Sequence, residues 1–170
     1  MNQIIFLLLY FLCATAEAKF ILSGSEIYSQ YENKDLKIPT STTRSFSYGL
    51  FQKYNNTTFS LLTNRLVEIE NKVFVQKKSN NQFMILKSKY RVDTFNVGYQ
   101  INNQIYGISL SNAKVRREFN STETKQNVIL YGINYSFPLK KDILLTFTLI
   151  APNKKISLKG AGIFGINLIF

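Results

Sequence analysis

The residues of this chain best suited to chemistry are its cations. Lys87, Lys89 and Arg91 fall close together, Lys114, Arg116 and Arg117 cluster in NAKVRREFNSTETK with Lys125 behind them, and Lys154 and Lys155 follow in APNKK. Ammonium and guanidinium groups gathered this way hold anions such as phosphate or sulfate. Other chemistry is thinly provided for. There is no histidine, and the one cysteine, Cys13, lies in an N-terminal apolar run. That removes the usual general base, the commonest metal ligand, a disulfide framework and a thiol nucleophile. The ten acids are few and scattered against 21 basic residues. No enzymatic activity, metal or cofactor is expected.

The elements that must position these cations begin after an export segment. MNQIIFLLLYFLCATAEAKF carries an apolar run from Ile4 to Ala14 ahead of Ala16-Glu17-Ala18. This reads as a signal peptide, residues 1–18, cut after Ala18. The run is about half the ~20 residues a spanning helix needs. The formal charge of +11 becomes +12 when Glu17 leaves with that segment, and an exported basic chain is expected at anionic membrane surfaces, with no nucleic-acid partner.

What recurs in the remaining chain is alternation with period two, the mark of strands with one apolar face. Phe46, Tyr48 and Leu50 alternate with Ser45, Ser47 and Gly49. Phe95, Val97, Tyr99 and Ile101 alternate with Thr94, Asn96, Gly98 and Gln100. Beyond Asn102-Asn103 come Tyr106, Ile108 and Leu110 against Gly107, Ser109 and Ser111. Ile129 to Phe137, Ile143 to Leu149 and Phe164 to Phe170 repeat the pattern. Residues 57–91 are less regular, since Asn64 or Arg65 falls among the apolar set unless a bulge shifts the phase. Eight strands are expected over residues 44–170, preceded by an irregular segment at 19–43.

The polar faces decide what surrounds these strands. Between residues 94–111 and 128–137 they hold Gly, Ser, Thr, Asn and Gln without a charge, which suits a narrow barrel interior rather than a surface in water. The apolar faces then need lipid, and strands at membrane depth must close on themselves. If both termini face the periplasm, the short turns Asn102-Asn103 and PLKKD fall on that side, as do Tyr99, Tyr106, Tyr135, Phe137 and Phe170. The fold expected is all-β: a single antiparallel up-and-down transmembrane barrel of eight strands.

The final stretch, IFGINLIF, with Phe164, Ile166, Leu168 and Phe170 alternating, resembles the C-terminal signal read by the bacterial barrel-assembly machinery. With the signal peptide and the hairpins, the chain resembles the small eight-stranded outer-membrane barrels of the opacity-protein and OmpA/OmpX type. The resemblance implies residence in the outer membrane of a Gram-negative bacterium, with outer-membrane lipid, lipopolysaccharide and the assembly machinery as partners. So narrow a barrel is filled by side chains, which moves function to extracellular loops bearing Lys87, Lys89, Arg91, Lys114, Arg116, Arg117, Lys154 and Lys155. Two readings follow. One is a surface or structural protein acting as an adhesin for an anionic host or cell-surface ligand. The other is a soluble periplasmic β-barrel that carries a lipid.

Overall fold

A computed structural model describes residues 18–31, 36–37, 41–64, 67–77, 80–119, 122–156 and 158–170. Ten strands follow one another: β1 (Lys19–Tyr31), β2 (Leu36–Lys37), β3 (Ser41–Tyr54), β4 (Thr57–Asn64), β5 (Val67–Lys77), β6 (Asn80–Ile101), β7 (Gln104–Phe119), β8 (Thr122–Lys140), β9 (Ile143–Ile150) and β10 (Leu158–Ile169). Every pairing is antiparallel. β1 pairs with β3, β3 with β4, both β4 and β5 with β6, each later strand with the next, and β10 returns to β1, which closes the sheet. β4 and β5 both lie along β6 and act as one stave. With β2 only a short addition to β5, the wall is an eight-stave, up-and-down barrel.

Two expectations are corrected here. Residues 19–31 are not irregular: β1 is a full stave that pairs with β10 from Ile21 opposite Ile169 to Tyr31 opposite Leu158, and with β3 on its other side. The barrel therefore starts at residue 19 rather than 44. Second, the stretch from 57 to 77 supplies one stave, not two. Thr63 lies opposite Asp93 and Val67 opposite Tyr90, so four steps along this stave match three along β6. One extra residue of this kind is a bulge, and it resets the inward phase. Arg65 itself lies outside the described residues. The added first stave and the merged pair offset each other, so the turns at 102–103 and 141–142 lie at the end that carries residues 19 and 170.

The tight turns have a local cause. Asn102 and Asn103 take φ of 48° and 65°, and Asn55 takes 52°, the left-handed region that asparagine tolerates and that two-residue hairpins require. At the seam the Phe20 amide donates to the Phe170 carbonyl at 3.2 Å and the Phe170 amide to the Phe20 carbonyl at 2.8 Å. Lys19 Nζ lies 3.4 Å from Asp142 Oδ1 beside them.

Alternation sorts the side chains. Phe46 is 72% exposed, Ile108 66% and Tyr131 62%, whereas Ser45, Ser109 and Ser136 are 3%, 4% and 8% exposed. The apolar side chains form an outer belt, and the small polar ones face the lumen. On β8 the belt runs from Ile129 to Phe137, eight steps of ~3.3 Å, or about 20 Å of height at the usual barrel tilt.

The lumen is layered. At the turn end Ile21, Ile105, Leu144 and Ile169 form an apolar plug with Phe51 and Leu62. At the loop end Ala113, Val115, Val128, Ile150, Ile156 and Leu158 form a second one. Between them a polar layer is tied across the barrel. Asn134 Nδ2 donates to Asn96 Oδ1 at 3.2 Å, Asn96 Nδ2 to Ser60 Oγ at 2.9 Å, and Asn167 Nδ2 to Thr146 Oγ1 at 2.6 Å. A chamber of about 200 Å³ remains.

Candidate anion-binding wall

Above the belt β6, β7 and β8 continue as a tall wall, because their pairing runs on to Lys87 opposite Glu118 and Phe119 opposite Thr122. Outside the belt the outward face needs no apolar side chains, and the sequence places cations there. Register aligns them. Arg91 stands opposite Lys114, and Lys89 opposite Arg116, which in turn faces Lys125. Directly opposed side chains on one face have Cβ atoms ~5 Å apart, and like charges at that distance repel. The wall thus carries two adjoining rows of positive charge. Arg91, Lys114, Arg116 and Lys125 are exposed, and Lys89 is half-buried.

Acids meet this array as well: Glu68 stands in register opposite Lys89, and Glu118 opposite Lys87. Glu123 accepts from Arg116 NH2 and from Lys125 Nζ, the latter at 3.2 Å. Partial desolvation acts to raise its carboxyl pKa, but the hydrogen bonds from Lys125 and Arg116 outweigh it and hold the carboxyl below the ordinary glutamate range. Along the tall parts of β6, β7 and β8 the cations Lys87, Lys89, Arg91, Lys114, Arg116 and Lys125 still outnumber the acids Asp93, Glu118 and Glu123. A second outward cluster sits on β1 and β3, where Arg44 Nε and Tyr28 OH donate to the two oxygens of Glu26 at 3.0 and 2.8 Å. It is internally neutralised.

The cations named from the sequence divide accordingly. Lys89, Arg91, Lys114 and Arg116 come together on the wall, on strands rather than in loops, and Lys125 completes the second row. Lys87 has its backbone in register opposite Glu118, while its side chain lies outside the described residues. Arg117 does not join them. As the next residue along the strand it points inward, where its NH2 donates to the Ile156 carbonyl at 2.8 Å. There it holds the segment 151–156 over the lumen, and Ile156 is 2% exposed at the mouth. Adjacent residues on a strand face opposite sides, so the pair Arg116-Arg117 could have been divided from sequence alone. Lys154 and Lys155 are exposed in a short 3-10 turn between β9 and β10, outside the paired rows of β6, β7 and β8. Phe164, Ile166, Leu168 and Phe170 all face outward, 39–65% exposed.

The sequence matches no protein-family model and, at a significant level, no curated protein. Shape is more informative. Neisserial surface protein A superposes with a TM-score of 0.53 at 12% identity, covering 89% of this chain and 97% of its own. The chain has the fold of the small eight-stranded outer-membrane barrels. Ail of Yersinia pestis matches with a TM-score of 0.53 at 10% identity over 90% of this chain and 97% of its own, and the outer membrane protein OprG of Pseudomonas aeruginosa with 0.53 at 9% over 90% and 96%. At these identities the small-barrel likeness extends to the fold alone. Ail has also been solved in complex with the heparin analogue sucrose octasulfate.

Proposed function

We propose that this chain is an integral outer-membrane barrel of a Gram-negative bacterium, displayed at the cell surface, where its basic wall binds anionic groups in the manner of an adhesin. The observation that carries the reading is the adjacency of belt and wall. The belt exterior is apolar with no protein layer over it among the described residues, and hydrocarbon is the medium in which such a face is stable. The rows Arg91–Lys114 and Lys89–Arg116–Lys125 begin where that belt ends, at the level of lipid phosphates and within reach of polymers outside. Lipopolysaccharide phosphates and sulfated glycans share the chemistry such rows recognise. The heparin analogue in the Ail complex is of the same class.

On this reading residues 1–18 are an export signal, and removal after Ala18 leaves Lys19 as the first residue of β1. Phe164, Ile166, Leu168 and Phe170 form the strand that the assembly machinery reads before it pairs with β1. Lys154 and Lys155 add charge near the mouth without belonging to the wall. A lipid carrier draws no support from the lumen, since a chamber of about 200 Å³ is below the ~300–1,000 Å³ of ordinary ligand pockets. No catalytic constellation is proposed.

The test is binding of sucrose octasulfate and of lipopolysaccharide vesicles to the full chain refolded in zwitterionic nanodiscs, at several salt concentrations. Replacing Lys114, Arg116 and Lys125 together by Ala should weaken binding at least tenfold and flatten its salt dependence. Unchanged binding by that variant, with the barrel intact, would refute the wall as the site.

A further inference from the structure

The wall has an open edge. β9 has only eight residues, whereas its neighbour β8 has 19, and their pairing stops at Gly132 opposite Ile150. Above that point two contacts continue: the Ala151 amide donates to the Tyr131 carbonyl at 2.8 Å, and Asn153 Nδ2 to the Ile129 carbonyl at 3.2 Å. These show that odd-numbered residues of β8 turn their main-chain groups away from β7. Beyond Ile129 the next such residues are Asn127, Lys125 and Glu123, and among the described residues none has a main-chain partner on that side. Residues 123–127 are all exposed.

We infer that this edge of β8 accepts an extended acidic peptide as an additional strand, a protein-binding activity beyond the anion binding proposed above. An unpaired strand edge is a template for strand addition, with main-chain hydrogen bonds giving affinity and alternate side chains giving selectivity. Selectivity here comes from charge. On the outward face the incoming strand lies beside Lys125 and Asn127, with Lys114 and Arg116 one strand further in. It stops short of Glu123 at the tip, whose carboxylate already pairs with Arg116 and Lys125. Carboxylates at every second position meet that row, while the positions between them meet Thr124, Gln126 and Val128 and take small or β-branched residues. A second copy of the chain fits less well. Two barrels in one membrane present their β8 strands in the same direction, so the better antiparallel ladder is closed to them, and Lys125 would approach its own equivalent.

The experiment uses the full chain refolded in detergent micelles and a blocked peptide of about seven residues with glutamate at every second position and valine or threonine between. Amide exchange in the free protein should be fast at Lys125 and Asn127 and slow at Thr124 and Gln126. Peptide addition should slow exchange and shift the amide resonances at Lys125 and Asn127. Asn127→Pro removes a donor on the open side while leaving the β7 ladder intact, and should weaken binding about tenfold, whereas Asn127→Thr should not. Retained gel mobility of the folded form shows that each variant still closes. Equal protection at residues 124–127 of the free protein would overturn the inference. So would equal binding of Asn127→Pro, or equal binding of a peptide of the same charge interrupted by proline. The last result would leave the anion-binding wall standing and remove only the strand addition.

Discussion

Gly132 and Gly160 both lie against the main chain of β9, and the difference between them tests the packing of the barrel wall. A Cβ at Gly132 would stand 2.7 Å from the Leu149 carbonyl oxygen, 2.5 Å from Ser109 Oγ and 2.9 Å from Ile150 Cδ1. A Cβ at Gly160 would stand 3.5 Å from the Ile150 carbonyl oxygen, an ordinary contact. At Gly132 the backbone of β8 or β9 must yield by roughly half an ångström in a ladder bonded on both sides, and Ser109 must leave its buried position. Overpacking of that kind costs about 1–3 kcal/mol. Alanine recovers about 0.5–1 kcal/mol at either site, because glycine loses more freedom when a strand forms. Gly132→Ala should therefore be destabilised by about 1–3 kcal/mol relative to Gly160→Ala, which should match or exceed the parent chain. Urea unfolding of the refolded barrel, followed by the loss of its compact form on unheated gels, reads this as a lower midpoint for Gly132→Ala at unchanged slope. Equal midpoints would show that β8 and β9 do not approach as closely as described, and with that the narrow polar layer around Ser109 and Asn134 would lose its basis.

The seam and the wall give two further expectations. Removing Phe170 deletes both main-chain hydrogen bonds to Phe20, each worth about 0.5–1.5 kcal/mol, so the gel-shift midpoint should fall while Lys19→Ala, which breaks a half-exposed ion pair, leaves it nearly unchanged. A larger loss for Lys19→Ala would locate closure in the ion pair instead. Glu123 has its carboxyl held below the ordinary value of 4.5, so its contribution to the β7–β8 tip is complete above that pH and is lost as the pH falls through the lower folded value. Amide protection near residues 116 and 125, relative to the intrinsic exchange rate at each pH, should fall on acidification below about pH 4.5, and Glu123→Gln should abolish that dependence. The same substitution frees Arg116 and Lys125 and should tighten sucrose octasulfate binding at neutral pH; weaker binding would show that Glu123 organises the wall rather than competing for it.

The parts of this fold that could be read in the sequence are those where solvent and packing make the same demand at every second residue. β7, β8 and β9 cross the belt with apolar residues outward and small polar ones inward, and their alternation names both faces. β1 escapes because both plugs and polar breaks interrupt it. Ile21 and Ile27 are apolar on the inward face, while Gly24 and Glu26 fall on the outward one. The stave formed by β4 and β5 escapes because its phase shifts once between Thr63 and Val67. The basic residues read as loop charges because β6, β7 and β8 leave the belt without ending, and above it the outward face no longer selects for apolar side chains. Their assembly into rows depends on register between strands, which no single stretch records.

The interior leaves little room for a ligand. Eight staves enclose a lumen that small side chains fill, and here it is narrowed at two levels, by Ile21, Ile105, Leu144 and Ile169 at one end and by the cluster around Ile156 and Leu158 at the other. A solute would have to cross two apolar plugs and break the Asn134–Asn96–Ser60 hydrogen-bond chain between them. The interior is therefore a structural core, made polar in the middle because a narrow barrel admits only small residues there. The wall is built on the opposite terms. Like charges placed opposite one another on β6, β7 and β8 weaken the pairing of those strands, and nothing in the barrel's closure needs strands so tall. On the proposed reading an external anion adds to what Glu123 already does for Arg116 and Lys125, and binding falls on the outer face of three strands rather than in the lumen.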